Sequence, residues 1–137
     1  MPPKICINQE VPVPVFFAIT PFVRRVLKAL MIQSGTFEFT FVDNPSLVKL
    51  NHTYLNRTYE TDIISFNLGT PQAIEGDVYI SIDQATLNAA EWGHSLDFEV
   101  KTLLIHGILH LLEYHDYTEE EKQVMFAEQN RLLDLLA

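Results

Sequence analysis

One cysteine, Cys6, is all that the 137 residues contain. That excludes an intramolecular disulfide, makes a reducing compartment the default, and argues against a cysteine-rich structural zinc site, which normally takes four protein ligands. Long apolar runs are missing too. No stretch approaches the ~18 residues that a bilayer span requires, and Met1-Pro2-Pro3-Lys4 does not open a signal peptide. A cytoplasmic location with no membrane partner is the expectation. Repeats, linkers and low-complexity tracts are also lacking, so residues 1–137 read as one domain with one substantial core. Positive charge is scarce, with nine Lys and Arg against eighteen Asp and Glu and a formal net charge of −9. Such a balance argues against indiscriminate coating of nucleic acid, whose affinity comes mainly from phosphate neutralisation.

The few cations are unevenly placed. Residues 1–57 hold six of them (Lys4, Arg24, Arg25, Lys28, Lys49 and Arg57) against three acids, whereas the remainder holds three against fifteen. If a polyanion binds, the first half supplies the positive surface.

Periodicity predicts four strands and five helices. Lys4–Asn8 alternates as a short first strand, and Pro12 and Pro14 confine any continuation to an edge. Thr20-Pro21 reads as an N-cap followed by proline at the first helical position, with Phe22, Val23, Val26, Leu27, Leu30 and Met31 on the apolar stripe. Thr36–Val42 sets Phe37, Phe39 and Phe41 on one face of a strand, and Asp43-Asn44-Pro45 opens a second helix. Asp62–Asn67 and Gly76–Ile82 give the third and fourth strands. Asp83 is the predicted cap of a helix ending at Gly93, Ser95 caps the next, and Thr118 with Glu121 forms a capping box for the last. The predicted fold is a single α+β domain, one four-stranded mixed sheet with about five helices, the helix that Ser95 caps, which carries Phe98, Leu103, Leu104, His106 and His110, being central.

That helix carries the chemistry. Within His106–Asp116 lie three of the five histidines, and His106 and His110, four apart in an apolar helical run, project from one face a turn apart. This is the spacing of a two-histidine metal chelate. A catalytic metal usually adds a third protein ligand and keeps a position open for water, and His115 and Asp116, just past the helix end, are both candidates. Trp92, beside Gly93, reads as a packing residue rather than a base-stacking platform, and His94 as a capping or surface residue. Asp62 and Asp77 read as strand-end acceptors.

The run His106-Gly107-Ile108-Leu109-His110-Leu111-Leu112-Glu113-Tyr114 resembles the motif of the YbeY family of metal-dependent endoribonucleases, which act in ribosomal RNA maturation. Supporting blocks are Leu50-Asn51 with Tyr54, Thr61–Phe66, Gly76–Ser81, Gly93-His94-Ser95, and Met125 with Glu128. The resemblance implies cleavage of single-stranded RNA, notably at the 3′ end of small-subunit (16S) rRNA, ribosome quality control, a small-subunit partner, and one transition-metal ion, Zn2+ foremost. It also puts the family's third metal histidine on Asp116, and two histidines with one carboxylate form an accepted catalytic zinc set.

Two further departures stand out. Glu113 replaces a glycine at the helix end, which costs about 1 kcal/mol if that residue must be left-handed. Leu55 replaces an arginine, and Arg57, two positions on, is expected to take over its phosphate contact. Arg24, Arg25, Lys28, Lys49 and Arg57 are expected to line or flank a groove leading to His106 and His110. The rival enzyme is a zincin-like metalloprotease, opposed by Gly107, which has no side chain where zincins place a glutamate base, with Glu113 or Glu99 left as the base it would need. The non-enzyme rival is a metal-stabilised ribosome-assembly factor.

Overall fold

The computed structural model describes residues 2–55 and 62–136, with the side chains of Tyr54 and Leu55 outside that description. Its elements run β1 (Lys4–Gln9), α1 (Ile19–Ala29), β2 (Thr36–Val42), α2 (Asn44–Leu55), β3 (Ile63–Asn67), β4 (Glu75–Ser81), α3 (Ile82–Trp92), α4 (Leu96–Leu111) and α5 (Glu119–Leu136). Arg57, and the loop expected around it, lie outside the described residues.

The sheet order is β1-β2-β4-β3. β2 pairs parallel with both β1 and β4, and β3 closes the other edge antiparallel to β4. This is the mixed sheet of the predicted α+β class. Period-2 alternation divides its faces. Phe37, Phe39, Phe41, Val78 and Ile80 point into the main core with α1, α4 and α5, while Val42, Ile64, Phe66 and Tyr79 meet Leu47 and Leu50 of α2 on the other side. Burying a Phe or Leu side chain stabilises by about 1.5–3 kcal/mol, so the larger cluster dominates the fold.

Two helix starts differ from expectation. α1 begins at Ile19 with Ala18 as a cap that makes no side-chain bond, instead of at Thr20. Ile19 is buried in the core, and Pro21 still falls within the first turn, where its missing N–H is not needed. α3 is capped by Ser81, whose Oγ accepts from the Gln84 N–H at 3.1 Å. Asp83 instead accepts from the Asn44 N–H at 2.8 Å, tying the start of α2 to α3. The end of α1 also differs, since the helix stops at Ala29 with Leu30 as its C-cap, and Met31, expected on the apolar stripe, is left-handed and exposed. The remaining N-caps are as expected. Asp43 accepts from the Ser46 N–H, Ser95 from the Phe98 N–H, and Thr118 and Glu121 bond each other's backbone reciprocally.

α4 lies close on the sheet because glycines make room for it. A Cβ on Gly107 would come within 2.9 Å of both Ile63 and Val78, and one on Gly76 within 2.5 Å of Leu111. Gly107 therefore serves packing: it lets the residue before it, His106, sit on a helix pressed against β3 and β4.

Candidate metal centre

α4 ends in a turn that the sequence only half announces. Leu112 is its C-cap, Glu113 is left-handed at φ 69°, and the N–H groups of Glu113 and Tyr114 donate to the carbonyls of His110 and Leu109 at 3.0 Å each. Those two bonds are the Schellman pattern, here built without glycine. The turn aims the Tyr114 carbonyl back at α4, where it accepts from His110 Nδ1 at 3.0 Å. A carbonyl can only accept, so His110 carries its proton on Nδ1 and keeps a lone pair on Nε2.

His106 is oriented from elsewhere. Its Nδ1 lies 2.9 Å from Oε1 of Gln129, a buried residue of α5. With that proton on Nδ1, its Nε2 also offers a lone pair, 3.0 Å from His110 Nε2. Two lone pairs face to face repel unless a cation lies against both, and outer partners on both Nδ1 atoms are the usual support of metal-binding imidazoles. Asp116 Oδ2 stands 3.9 Å from His110 Nε2. Among the described residues, ligand atoms of His106, His110 and Asp116 all lie within 4.8 Å of one another. The donor set thus fits a transition-metal ion, two imidazole nitrogens and a carboxylate oxygen. Burial, with the His106 ring beside it, holds His110 below the ordinary imidazole pKa against the opposing pull of Asp116. Neutral imidazole is the form that binds metal.

His115 goes elsewhere. Its exposed ring stacks on Tyr117 at 5.1 Å, and it lines a surface hollow with Leu112, Glu113 and Tyr114.

His106 also lines a cleft of about 600 Å³ with Asp62, Asn88, Trp92, His94, Glu99 and other residues of α3, α4 and α5. Glu99 is buried, and its carboxylate meets His94 Nε2 at 2.7 Å. Asn88 Nδ2 donates to Asp62 at 3.2 Å and reaches Glu99 at 3.5 Å. Burial pushes the Asp62 carboxyl up, further raised by Glu99 and opposed by its own backbone, His106 and Asn88.

Trp92 corrects the packing reading, since it is 72% exposed on this cleft. Gln129 and Asn88 were missed as parts of the site, and Glu99 was weighed only as the base of the rival protease, although two of the three carried a signal. Gln129 follows Met125 by four on the buried stripe of α5, and Glu99 precedes His106 by seven on α4, each a polar residue in an apolar row.

The described cations of the first half are not among the residues that line this cleft. Arg24 and Lys28 line a separate hollow with Pro2, Pro3 and Met31; Arg25 lies over the Phe22 ring at 5.6 Å; Lys49 is exposed on α2.

An α+β domain presenting two imidazoles and a carboxylate beside an open cleft has the donor set that metal-dependent hydrolases use. A family model described as endoribonuclease YbeY matches residues 9–137. A relative of that description from Acholeplasma laidlawii is 41% identical over 103 residues, 74% of this chain and 75% of its own. Another, from Bacillus licheniformis, is 41% identical over 107 residues, 69% of this chain and 68% of its own. The solution structure of a Thermotoga maritima protein superposes with a TM-score of 0.66 at 22% identity, covering 96% of this chain and 87% of that one, a likeness of fold. The chain belongs to the endoribonuclease YbeY family.

Proposed function

We propose that this protein is a metal-dependent endoribonuclease specific for single strands, acting in 3′-end maturation of small-subunit (16S) rRNA and in ribosome quality control in the cytoplasm. The observation that carries the reading is the facing pair of His106 and His110 Nε2 atoms with Asp116 beside them, in a chain of this family. His106, His110 and Asp116 hold the metal, zinc by preference. Bound there, zinc would polarise a phosphoryl oxygen and activate water for phosphodiester hydrolysis.

The protein's own groups do the positioning. Gln129 and the Tyr114 carbonyl hold the two imidazoles in the tautomer that presents Nε2. Arg57 binds the scissile phosphate, its guanidinium matching the phosphate fork, and stabilises charge there. Arg24, Arg25, Lys28 and Lys49 contact RNA phosphates outside the cleft, which draws the strand to an otherwise acidic protein. The small ribosomal subunit is the partner. No described helix is long and apolar enough to cross a membrane.

The test is cleavage of a single-stranded RNA by purified protein before and after chelation, with zinc and manganese added back and a duplex as control. Activity is expected to vanish with chelator and return with metal, and Asp116→Ala to lose metal that His115→Ala retains. Cleavage indifferent to chelation sinks the metal mechanism; the reverse pattern in the two variants sinks the ligand set.

A further inference from the structure

Three aromatic rings stand open on the cleft that His106 lines: Trp92 is 72% exposed, Phe126 46% and Phe98 39%. Exposed apolar surface collected at one concave place marks a binding site rather than scattered surface residues. Trp92 and Phe98 are joined through His94, whose ring lies 6.5 Å from the first and 4.7 Å from the second, and Glu99 fixes that imidazole from below. The wall so formed is continuous, and Phe126 adds a ring from α5.

The polar groups among these rings decide what can enter. Asp62 and Glu99 contribute carboxyl groups and Asn88 a carboxamide, while no lysine or arginine is among the described lining residues. A phosphate is unsuited to such a place. An uncharged aromatic ring with hydrogen-bond donors on its edge suits it, stacking on the rings and donating to the oxygens. A volume of about 600 Å³ falls in the ~300–1,000 Å³ range of small-molecule sites and has room for one base with its sugar.

We propose that this cleft receives one unstacked nucleobase of the substrate strand, with Trp92 as its stacking residue, while a neighbouring phosphate of the same strand lies at the metal centre. His106 belongs to both places, so the two subsites adjoin. The proposal rests on the endoribonuclease reading and adds the origin of its strand preference: a base held in a duplex is stacked and paired, and cannot turn into a pocket without breaking both.

Trp92 is the chain's single tryptophan and therefore its own reporter. The metal-loaded full chain is titrated with a short oligonucleotide whose methylphosphonate linkages resist hydrolysis and carry no charge, alongside an abasic copy. Saturable quenching of Trp92 fluorescence by the first and none by the second is expected, with the quenching affinity about tenfold weaker in Phe126→Ala, as loss of one aromatic contact to a base implies. In the cleavage assay, Trp92→Ala should raise KM about tenfold while moving kcat far less, and Trp92→Phe should restore most of the loss. Trp92 is too exposed for either change to threaten folding. Equal quenching by the abasic copy, or cleavage with an unchanged KM in Trp92→Ala, overturns the base cleft. Base-dependent quenching by a protein that cleaves no RNA overturns the endoribonuclease reading instead and leaves the cleft standing.

Discussion

His106 and His110 sit one turn apart on the same helix, yet different parts of the chain hold them. His110 is oriented by the Tyr114 carbonyl, four residues away, through the turn in which its own helix ends. His106 is oriented by Gln129, twenty-three residues away on another helix. The local support is backbone, so almost any side chains that permit the turn preserve it. The remote one is a single side chain, and it exists only when α5 has docked. A metal brought to this pair therefore reports on two things at once: the end of α4, and the packing of α5 against it.

The largest expected effect comes from breaking the remote support. Gln129→Leu keeps much of the volume of a buried side chain but leaves His106 Nδ1 without its acceptor, freeing the ring to turn or change tautomer. Loss of such an outer partner typically costs about 10–100-fold in metal affinity. We expect that loss for zinc in competition with a chromophoric chelator, with Gln129→Glu, which retains an acceptor, falling by less. Affinity unchanged in Gln129→Leu would mean that the ring is held by its place on α4 alone, and the contrast between the two histidines would disappear.

The same contrast explains what the sequence disclosed. His106, His110 and the capping box of Thr118 and Glu121 are short-range patterns, each set by helix geometry over three or four residues, and they could be read from spacing. So could the alternating Phe37, Phe39 and Phe41 of β2. Gln129, Asn88 and Glu99 act across helices, and spacing along the chain does not say which helix faces which. Trp92 was misread for a related reason: an indole at a helix end looks like packing until the cleft beside it is built. Even the caps of α1 and α3 shifted under tertiary demands, one to bury Ile19 and the other because Asp83 is engaged by Asn44.

A second difference between the surroundings of the histidines is their burden of buried charge. The cleft beside His106 includes Asp62, whose carboxyl is pushed up chiefly by burial. A raised folded-state value means that the fold disfavours the ionised form. This destabilisation is absent below the ordinary pKa of 3.8, grows as pH rises through the folded value, and is complete above it. Asp62→Asn keeps an acceptor for Asn88 and removes the charge. Measured by thermal unfolding in chelator, the variant should melt above the parent at pH 7 and converge with it as pH falls below 3.8. A parent that melts higher at pH 7 would show that the ionised carboxylate is stabilised by its surroundings, and that the cleft carries no such strain.

The smallest effect concerns the local support. Glu113 occupies the left-handed region at φ 69°, where a side chain costs about 1 kcal/mol that glycine avoids. Part of the gain from Glu113→Gly is returned through the freer unfolded chain, which leaves roughly 0.5 kcal/mol of net stabilisation. The hydrogen bonds of the turn belong to the backbone, from Glu113 N–H to the His110 carbonyl and from Tyr114 N–H to that of Leu109, and both survive the change. So does the Tyr114 carbonyl's hold on His110. Glu113→Gly should therefore raise the denaturant midpoint slightly while leaving zinc affinity as it was, whereas Gln129→Leu lowers zinc affinity. Destabilisation by glycine at this position would mean that residue 113 is not left-handed in solution, and the turn could not then be what points the Tyr114 carbonyl at His110.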